Sequence, residues 1–315
     1  MKLFKVSYNL GSAVASDWQA DTIFGHLCWA LRYLEGEDKL LQFLADCRRQ
    51  QPPLVISNGF PSDLLPRPIT PPIRPAPHGT VKEQLGRFTE EKGTKRIGLL
   101  SLEEFEEVIQ GKDFVPASAG KHLPWKRVTL KNRIGRDTGG TGKAGELFGF
   151  EETVWARRDT DIPTGIPVSI YARVRDGFEE QAERLFALIA AEGYGRRKTA
   201  GYGQIKSWSF EEFSGFHSPP DANGFVSLSN FVPAQGDPTE GTWQTVVKYG
   251  KLGENFAAAG NPFKKPVLML AAGSTFVHAP CKEHYGRVVE DVARRTDAAV
   301  VQYGFALPVP MKITG

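Results

Sequence analysis

The chain of 315 residues contains only three cysteines, and this scarcity restricts its chemistry. Cys28, Cys47 and Cys281 lie far apart, with no Cys-x-x-Cys pair and no histidine beside them at ligand spacing. A structural zinc site or a framework of disulfides is therefore not expected. Long apolar runs are missing too: none approaches the length of a membrane span, and the N-terminus lacks the pattern of a signal peptide. We expect a cytoplasmic protein without membrane contact.

Familiar catalytic motifs are also missing. The sequence has no convincing Ser/His/Asp spacing and no His-Glu-x-x-His motif, which would place two metal-ligating histidines on one helix face. This favours a binding or structural protein over an enzyme, and we expect neither a cofactor nor a metal ion.

Charge is nearly balanced over the whole chain but is distributed unevenly. There are 39 basic and 36 acidic side chains, which gives a net charge of +3. The stretch from Lys121 to Lys143 nevertheless contains seven lysines and arginines and a single acid, Asp137. Together with 41% hydrophobic residues, enough for packed cores, this indicates a folded protein with a local polyanion-binding surface.

The most informative stretch runs from Gly193 to Trp208, where two glycine pairs enclose three consecutive cations. Helical periodicity precedes it, and the alternation of a strand follows it. The order helix, loop, strand excludes a P-loop and a Rossmann fingerprint, because both place the glycines before a helix N-terminus. We expect a loop that binds a phosphate chain through its cations and backbone amides, the alternative being a glycine cap with a solvated basic turn. The candidate residues are Gly193, Gly195, Arg196, Arg197, Lys198, Gly201, Tyr202 and Gly203.

A second basic stretch, from Lys121 to Phe150, shows two alternating runs joined by a loop rich in glycine and threonine. This pattern predicts a hairpin with basic flanks and a loop-like tip. RNA contact is one interpretation; the other is an ordinary exposed hairpin whose cations prevent edge aggregation. The candidate RNA-binding residues are Lys121, Trp125, Lys126, Arg127, Asn132, Arg133 and Arg136.

The remaining periodicities give the order β-α-β-β-α-β up to about Phe213. Asp21 is the predicted N-cap of the first helix, and Ser101 with Glu104 forms a predicted capping box for a further helix. Four strand-like runs follow residue 213, with a short helix predicted, for example, from Gly286 to Arg295.

Several separate motifs, in order along nearly the whole chain, resemble the RAMP superfamily of CRISPR proteins. Within that superfamily they are similar to the family of fourth subunits of the type III-A Csm effector complex. The segments that carry the resemblance are SDWQADTIFGHLCWAL, LPRP, the pattern N-R-x-x-R-x-T-G, GYGRRKTAGYG, KPVLMLAAGSTF and VVQYGFALPVPM.

The resemblance implies an α+β fold with two tandem ferredoxin-like (RRM-like) domains. Residues 1–213 would form the first domain, with an inserted hairpin called the thumb at about 112–150 and the Gly-rich loop at 193–203. Residues 214–315 would form a smaller, β-rich ferredoxin-like domain.

The resemblance also implies a function in antiviral defence. The protein would be a structural subunit that holds the 5′ repeat tag of crRNA. Its partners would be the large polymerase-like CRISPR subunit and the backbone RAMP subunits of the same complex.

Some RAMP relatives are endoribonucleases that process precursor crRNA with a histidine, and this is the alternative function. His26 and His122 are the candidates for the acid or base. His26 falls within the first predicted helix, beside its apolar face, so we expect it to be structural; His122 lies in the basic hairpin, where RNA or solvent contact is expected.

Overall fold

The computed structural model describes residues 1–70, 97–112, 123–141, 147–156, 165–253, 261–278, 280–294 and 300–314. It is an α+β protein, as predicted. Its helices are α1 (Ala20–Glu35), α2 (Glu37–Arg48), α3 (Leu102–Ile109) and α4 (Glu179–Glu192). Strands of the first part are β1 (Lys2–Leu10), β2 (Leu54–Pro61), β3 (Leu65–Pro66), β4 (Leu99–Leu100), β5 (Trp125–Asn132), β6 (Leu147–Val154), β7 (Val168–Val174) and β8 (Ile205–Glu212). Those of the second part are β9 (Gly224–Ser227), β10 (Gly241–Thr242), β11 (Thr245–Lys248), β12 (Val267–Leu270), β13 (Thr275–Val277), β14 (Tyr285–Gly286), β15 (Phe305–Ala306) and β16 (Pro308–Met311).

The first part is organised around one antiparallel sheet with the strand order β2-β7-β1-β8. Helix α1 follows β1 and packs on β2, while α4 follows β7 and packs on β8. This arrangement confirms the predicted β-α-β-β-α-β order. The hairpin β5–β6 is inserted between β2 and β7 in sequence. It reaches Val154, slightly beyond the predicted end at residue 150.

Amphipathic patterns placed the helices correctly because each buries one stripe of side chains against the sheet. The buried side chains of α1 include Ile23, Phe24, Leu27 and Leu31, whereas Leu34 in its last turn is exposed. In α4 the buried side chains are Ala182, Leu185, Phe186 and Ile189.

The two predicted helix starts differ in outcome. The capping box of α3 is confirmed, because Glu104 N–H donates to Ser101 Oγ and Ser101 N–H donates to Glu104 Oε2. Asp21 is not the N-cap of α1, which begins at Ala20 after Gln19. Ala20 N–H donates instead to Asn58 Oδ1 at 2.9 Å, so a side chain from β2 fills the capping role.

Asp21 instead connects α1 to the second part of the chain. Its carboxylate lies 3.2 Å from Lys248 Nζ and accepts a hydrogen bond from Gln302 Nε2 at 2.6 Å. Because the Asp21 carboxylate contacts these distant residues, it does not cap α1.

The second part contains a four-stranded antiparallel sheet, β10-β13-β9-β16, and the hairpin β11–β12. The structure shows no helix in the described residues after 213. The predicted helix at 286–295 is wrong for residues 286–294, because Gly286 pairs with Phe305 and Val289 bridges Gln302. The φ of Gly286 is +83°, a conformation unsuited to a helix. A second ferredoxin-like unit is therefore not confirmed.

The predicted domain boundary after residue 213 falls between the two sheets, but the largest buried cluster crosses it. Phe24 of α1 packs on Tyr303 with ring centroids 4.7 Å apart. The hydroxyl of Tyr303 accepts a hydrogen bond from Ile56 N–H at 2.9 Å. The two parts therefore share one core, and their division into separate domains stays a prediction.

Candidate nucleic-acid interface

The Gly-rich loop, residues 193–203, is anchored by one fully buried side chain, Tyr194. Its ring stacks on Trp18 with centroids 3.5 Å apart and planes 8° from parallel. Its hydroxyl donates to the Asp17 carbonyl at 2.7 Å. Because Tyr194 is fixed in this way, the residues that follow it leave α4 in a defined direction.

Three glycines of the loop differ in the space that surrounds them. A Cβ on Gly203 would lie 1.9 Å from the Tyr194 carbonyl oxygen, and one on Gly195 would lie 2.8 Å from Ser16 Cβ. Gly201 faces open space, although its φ is +84°. Gly195 and Gly203 therefore allow the loop backbone to pack closely against Ser16 and Tyr194. Gly201 is needed only for its left-handed backbone conformation.

Cations of the loop are held by local contacts. Arg196 Nε donates to the Ala15 carbonyl, and its backbone N–H donates to Ser16 Oγ at 3.0 Å. Lys198 Nζ lies 3.2 Å from Glu192 Oε2. Arg197, with φ +62°, precedes a short 3-10 turn at Lys198–Ala200. The loop is therefore an ordered basic turn.

Hairpin β5–β6, called the thumb below, packs against this loop through one face. Its register places Arg127, Thr129 and Lys131 of β5 beside alternate residues of β6. The central side chain on that face is Phe150, which is 6% exposed. Around its ring lie three cationic groups: Arg197 with Cζ at 4.3 Å, Lys131 with Nζ at 4.5 Å, and Arg196 with Cζ at 5.3 Å. Cation–π attraction thus holds the thumb to the loop.

Tyr202 completes this junction from the loop side. Its ring meets Phe150 edge-on at 5.2 Å, and its hydroxyl accepts a hydrogen bond from Lys131 Nζ at 2.5 Å. The ring is half-buried, so in this structure it binds the thumb and is not an open stacking platform for a base.

Beneath the junction, Glu152 is a buried carboxylate that neutralises part of the thumb's charge. It accepts hydrogen bonds from Arg127 Nε at 2.6 Å and Thr129 Oγ1 at 2.9 Å. Burial opposes its ionisation, but the hydrogen bonds from Arg127, Thr129 and Tyr202 outweigh burial and hold the pKa of Glu152 below its usual value. Arg127 is therefore compensated by a partner.

The thumb and the loop line a groove of about 800 Å³ that is open to solvent. Its walls are the strand β5, the loop around Tyr202 and the backbone that follows β1. The lining residues are Ser12, Ala13, Arg127, Val128, Thr129, Leu130, Lys131, Glu152, Ala200, Gly201 and Tyr202. A groove of this kind can admit a single strand whose phosphates face Lys131, with the loop cations beside it.

The structure brings most of the candidate residues together but not all of them. The loop residues 193–203 and Arg127 meet at the junction. Asn132, Arg133 and Arg136 lie exposed toward the hairpin tip, and Lys126 pairs with Glu151 at 2.8 Å. Trp125 is half-buried at the base of β5. Lys121 and His122 lie outside the described residues.

Sequence reasoning missed three residues that shape the junction: Lys131, Phe150 and Glu152. Their signal was present, because Thr129 and Lys131 alternate in β5 as Phe148, Phe150 and Glu152 do in β6. Alternation predicts that each set shares a face. It does not reveal that the shared face meets a loop more than forty residues away.

His26 lies directly behind the loop and acts as its support. Its Nε2 accepts a hydrogen bond from Gly195 N–H at 3.0 Å, and its ring packs on Tyr194 at 4.9 Å. Burial, together with the nearby charge of Lys198, lowers the pKa of His26 from 6.5 to about 3. A neutral ring that accepts from a backbone amide agrees with the structural role expected for His26.

This position makes stability depend on pH. The pKa of His26 is lower in the folded protein, about 3, than in the unfolded chain, 6.5. Between these two values the unfolded chain binds a proton that the folded protein does not. The free energy of unfolding therefore falls as the pH drops from 6.5 toward about 3. We expect wild type to lose up to about 1.4 kcal/mol per pH unit relative to His26→Gln in this window. Urea unfolding of both proteins at a series of pH values measures this, and parallel profiles would contradict it.

Comparisons with known proteins agree with this fold. No family model and no curated protein matches the chain. A structure of the Csm1–Csm4 cassette with pppApA matches at TM-score 0.65 and 17% identity, covering 100% of this chain and 99% of the other. The same cassette with cA4 gives TM-score 0.64 and 17% identity, with 100% of both chains covered. A Csm3–Csm4 subcomplex of the type III-A CRISPR-Cas interference complex gives TM-score 0.61 and 14% identity, covering 99% and 100%.

Csm4 is the component shared by the three structures, so the chain is similar in fold to Csm4, and the resemblance predicted from sequence is confirmed at that level. Within the described residues no helix has the length and apolar character needed to cross a membrane.

Proposed function

We propose that this chain is a Csm4-like subunit of a type III-A CRISPR effector complex and holds the 5′ repeat tag of crRNA. The observation that carries the proposal is the full-length likeness to structures that contain Csm4 with Csm1 and with Csm3. Its partners would be the large polymerase-like subunit and the backbone RAMP subunits. It would act in the cytoplasm, in antiviral defence.

The thumb–loop junction supports RNA as the ligand. Arg196, Arg197 and Lys131 converge on Phe150, so three positive charges lie within 5.3 Å of the centre of one ring. Lys198 adds a fourth on the same loop. Cations clustered beside an open groove attract a phosphate chain whatever its sequence. Base preference would then depend on hydrogen bonds within the groove.

We further propose that the chain is not a nuclease. A general acid or base must titrate near the working pH and reach the substrate. His26 does neither, because its pKa is lowered to about 3 and its Nε2 accepts the Gly195 amide. This geometry weighs against a processing endoribonuclease built on His26.

The experiment incubates the purified protein with labelled crRNA and labelled repeat RNA, with and without magnesium. We expect retention of crRNA in a filter-binding assay and intact RNA on a denaturing gel. Cleavage by wild type that His26→Ala abolishes would show that the alternative function is correct. Failure to bind tagged crRNA would contradict the proposed function itself.

A further inference from the structure

A second hairpin, formed by β11 and β12, exposes one face that the proposed RNA surface does not include. Exposure alternates along residues 245–251: Thr245, Val247, Tyr249 and Lys251 are exposed, while the residues between them are half-buried. This alternation continues past the end of β11, where Lys251 bridges Phe263. One side of the hairpin therefore faces outward over its whole length.

The outward side is apolar at its centre. Val247 and Leu268 are direct partners in the strand register, and they are 46% and 61% exposed. Tyr249 and Phe263, at 75% and 57%, extend the same surface toward the Lys251 end. We call Val247, Tyr249, Lys251, Phe263 and Leu268 the hairpin face. Contiguous patches of exposed, large apolar side chains commonly mark interaction surfaces of proteins.

The opposite side of the hairpin fixes this surface in place. Val267 and Met269 are buried and cluster with Val292. Lys248 reaches back to α1, where its Nζ contacts Asp21 and Thr22. Because the inner side is anchored, the hairpin face is preorganised, and binding would cost little conformational entropy.

Charge at the edge of the face indicates what would bind there. Lys251 and Lys265 are both exposed, and neither forms an ion pair within the described residues. Two exposed cations beside an apolar centre complement a partner with an apolar patch and carboxylates at its rim.

Chemistry at the centre favours a protein over RNA. Stacking of bases needs flat π faces, which Tyr249 and Phe263 offer at one end of the face, but the strand-paired centre, Val247 and Leu268, is aliphatic. Protein interfaces combine an apolar core with a polar rim, as this face does.

We propose that the hairpin face docks a folded protein with an acid-rimmed apolar patch. The inference rests on the proposed function, which supplies the candidate partners: the large subunit and the backbone RAMP subunit of the same complex.

The test compares three proteins by calorimetry against each purified candidate subunit: wild type, Val247→Thr/Leu268→Gln, and the control Leu41→Gln. Leu41 is a leucine of similar exposure, 51%, on α2. We expect the double variant to bind one subunit about 30-fold or more weakly, with the control unchanged. Lys251→Glu/Lys265→Glu should slow association with that subunit, most strongly at low salt.

Each of the other results contradicts the inference, and each points to a different conclusion. Equal affinity of wild type and the double variant would overturn it and leave the proposed function intact. Binding of neither subunit by wild type would overturn both. A double variant that loses affinity for single-stranded RNA but keeps the subunit would assign the face to RNA. Dimerisation of wild type, abolished in the double variant with subunit binding intact, would assign it to a second copy.

Discussion

Gly203→Ala is expected to destabilise the protein by roughly 3 kcal/mol or more, a large effect for the addition of one methyl group. The new Cβ would lie 1.9 Å from the Tyr194 carbonyl oxygen, and the φ of Gly203 is +66°. Relief by local movement would break two hydrogen bonds, from Tyr194 N–H to the Gly203 carbonyl and from Gly203 N–H to the Ala13 carbonyl. Chemical denaturation followed by far-UV circular dichroism measures the loss.

Gly201→Ala is the matched control because its φ is +84° but its Cβ would meet nothing within 4 Å. Only the strain of a left-handed alanine remains, about 1–2 kcal/mol. If both variants unfold at the same denaturant concentration, close packing of Gly203 against Tyr194 does not hold the loop.

Periodicity was sufficient to predict the elements of the first sheet. The stripe on α4 reflects burial on one side of the helix, and Trp208 and Phe210 of β8 pack on the core, a pattern that sequence records directly. The Gly-rich loop was predicted between them for the same reason. Ser101 and Glu104 are local partners, so the capping box could also be predicted from sequence.

The errors arose where distant residues decide the local structure. Asn58 caps α1 and leaves Asp21 to pair with Lys248, over 200 residues away. The predicted helix from 286 is replaced by pairing with strands near residue 305. Propensity cannot anticipate such partners, because tertiary contacts outweigh it.

The candidate site was predicted in part for the same reason. The cations of the loop were expected to bind a phosphate chain, with a solvated turn as the alternative, and contact with the thumb was not foreseen: Arg196 and Arg197 lie over Phe150. Sequence showed two basic stretches and gave no sign that their surfaces meet. Whether the junction binds RNA stays a prediction, and it is the central claim.

Arg196→Ala/Arg197→Ala/Lys198→Ala is expected to reduce the affinity for tag-bearing crRNA about 100-fold at ~0.1 M salt. Each phosphate contact contributes about 0.7 to the slope of log K against log salt, hence about fivefold in affinity at that concentration, and three contacts multiply. The variant also loses the cation–π contacts with Phe150, so its folding is checked by thermal unfolding before its affinity is interpreted.

A control variant removes the same charge elsewhere: Lys39→Ala/Arg49→Ala/Arg184→Ala. These three cations are exposed on α2, just beyond it and on α4. The ion pairs of Arg49 and Arg184 are at the surface, where such pairs contribute little stability. A general effect of net charge on RNA affinity would appear equally in both triple variants.

The most direct measurement is a salt titration of crRNA affinity by fluorescence anisotropy for wild type and the two triple variants. We predict that the slope of log K against log salt becomes shallower by about 2 in the loop variant and stays at the wild-type value in the control. An unchanged affinity and slope in a correctly folded loop variant would contradict the account, because the basic loop would then be only a solvated turn.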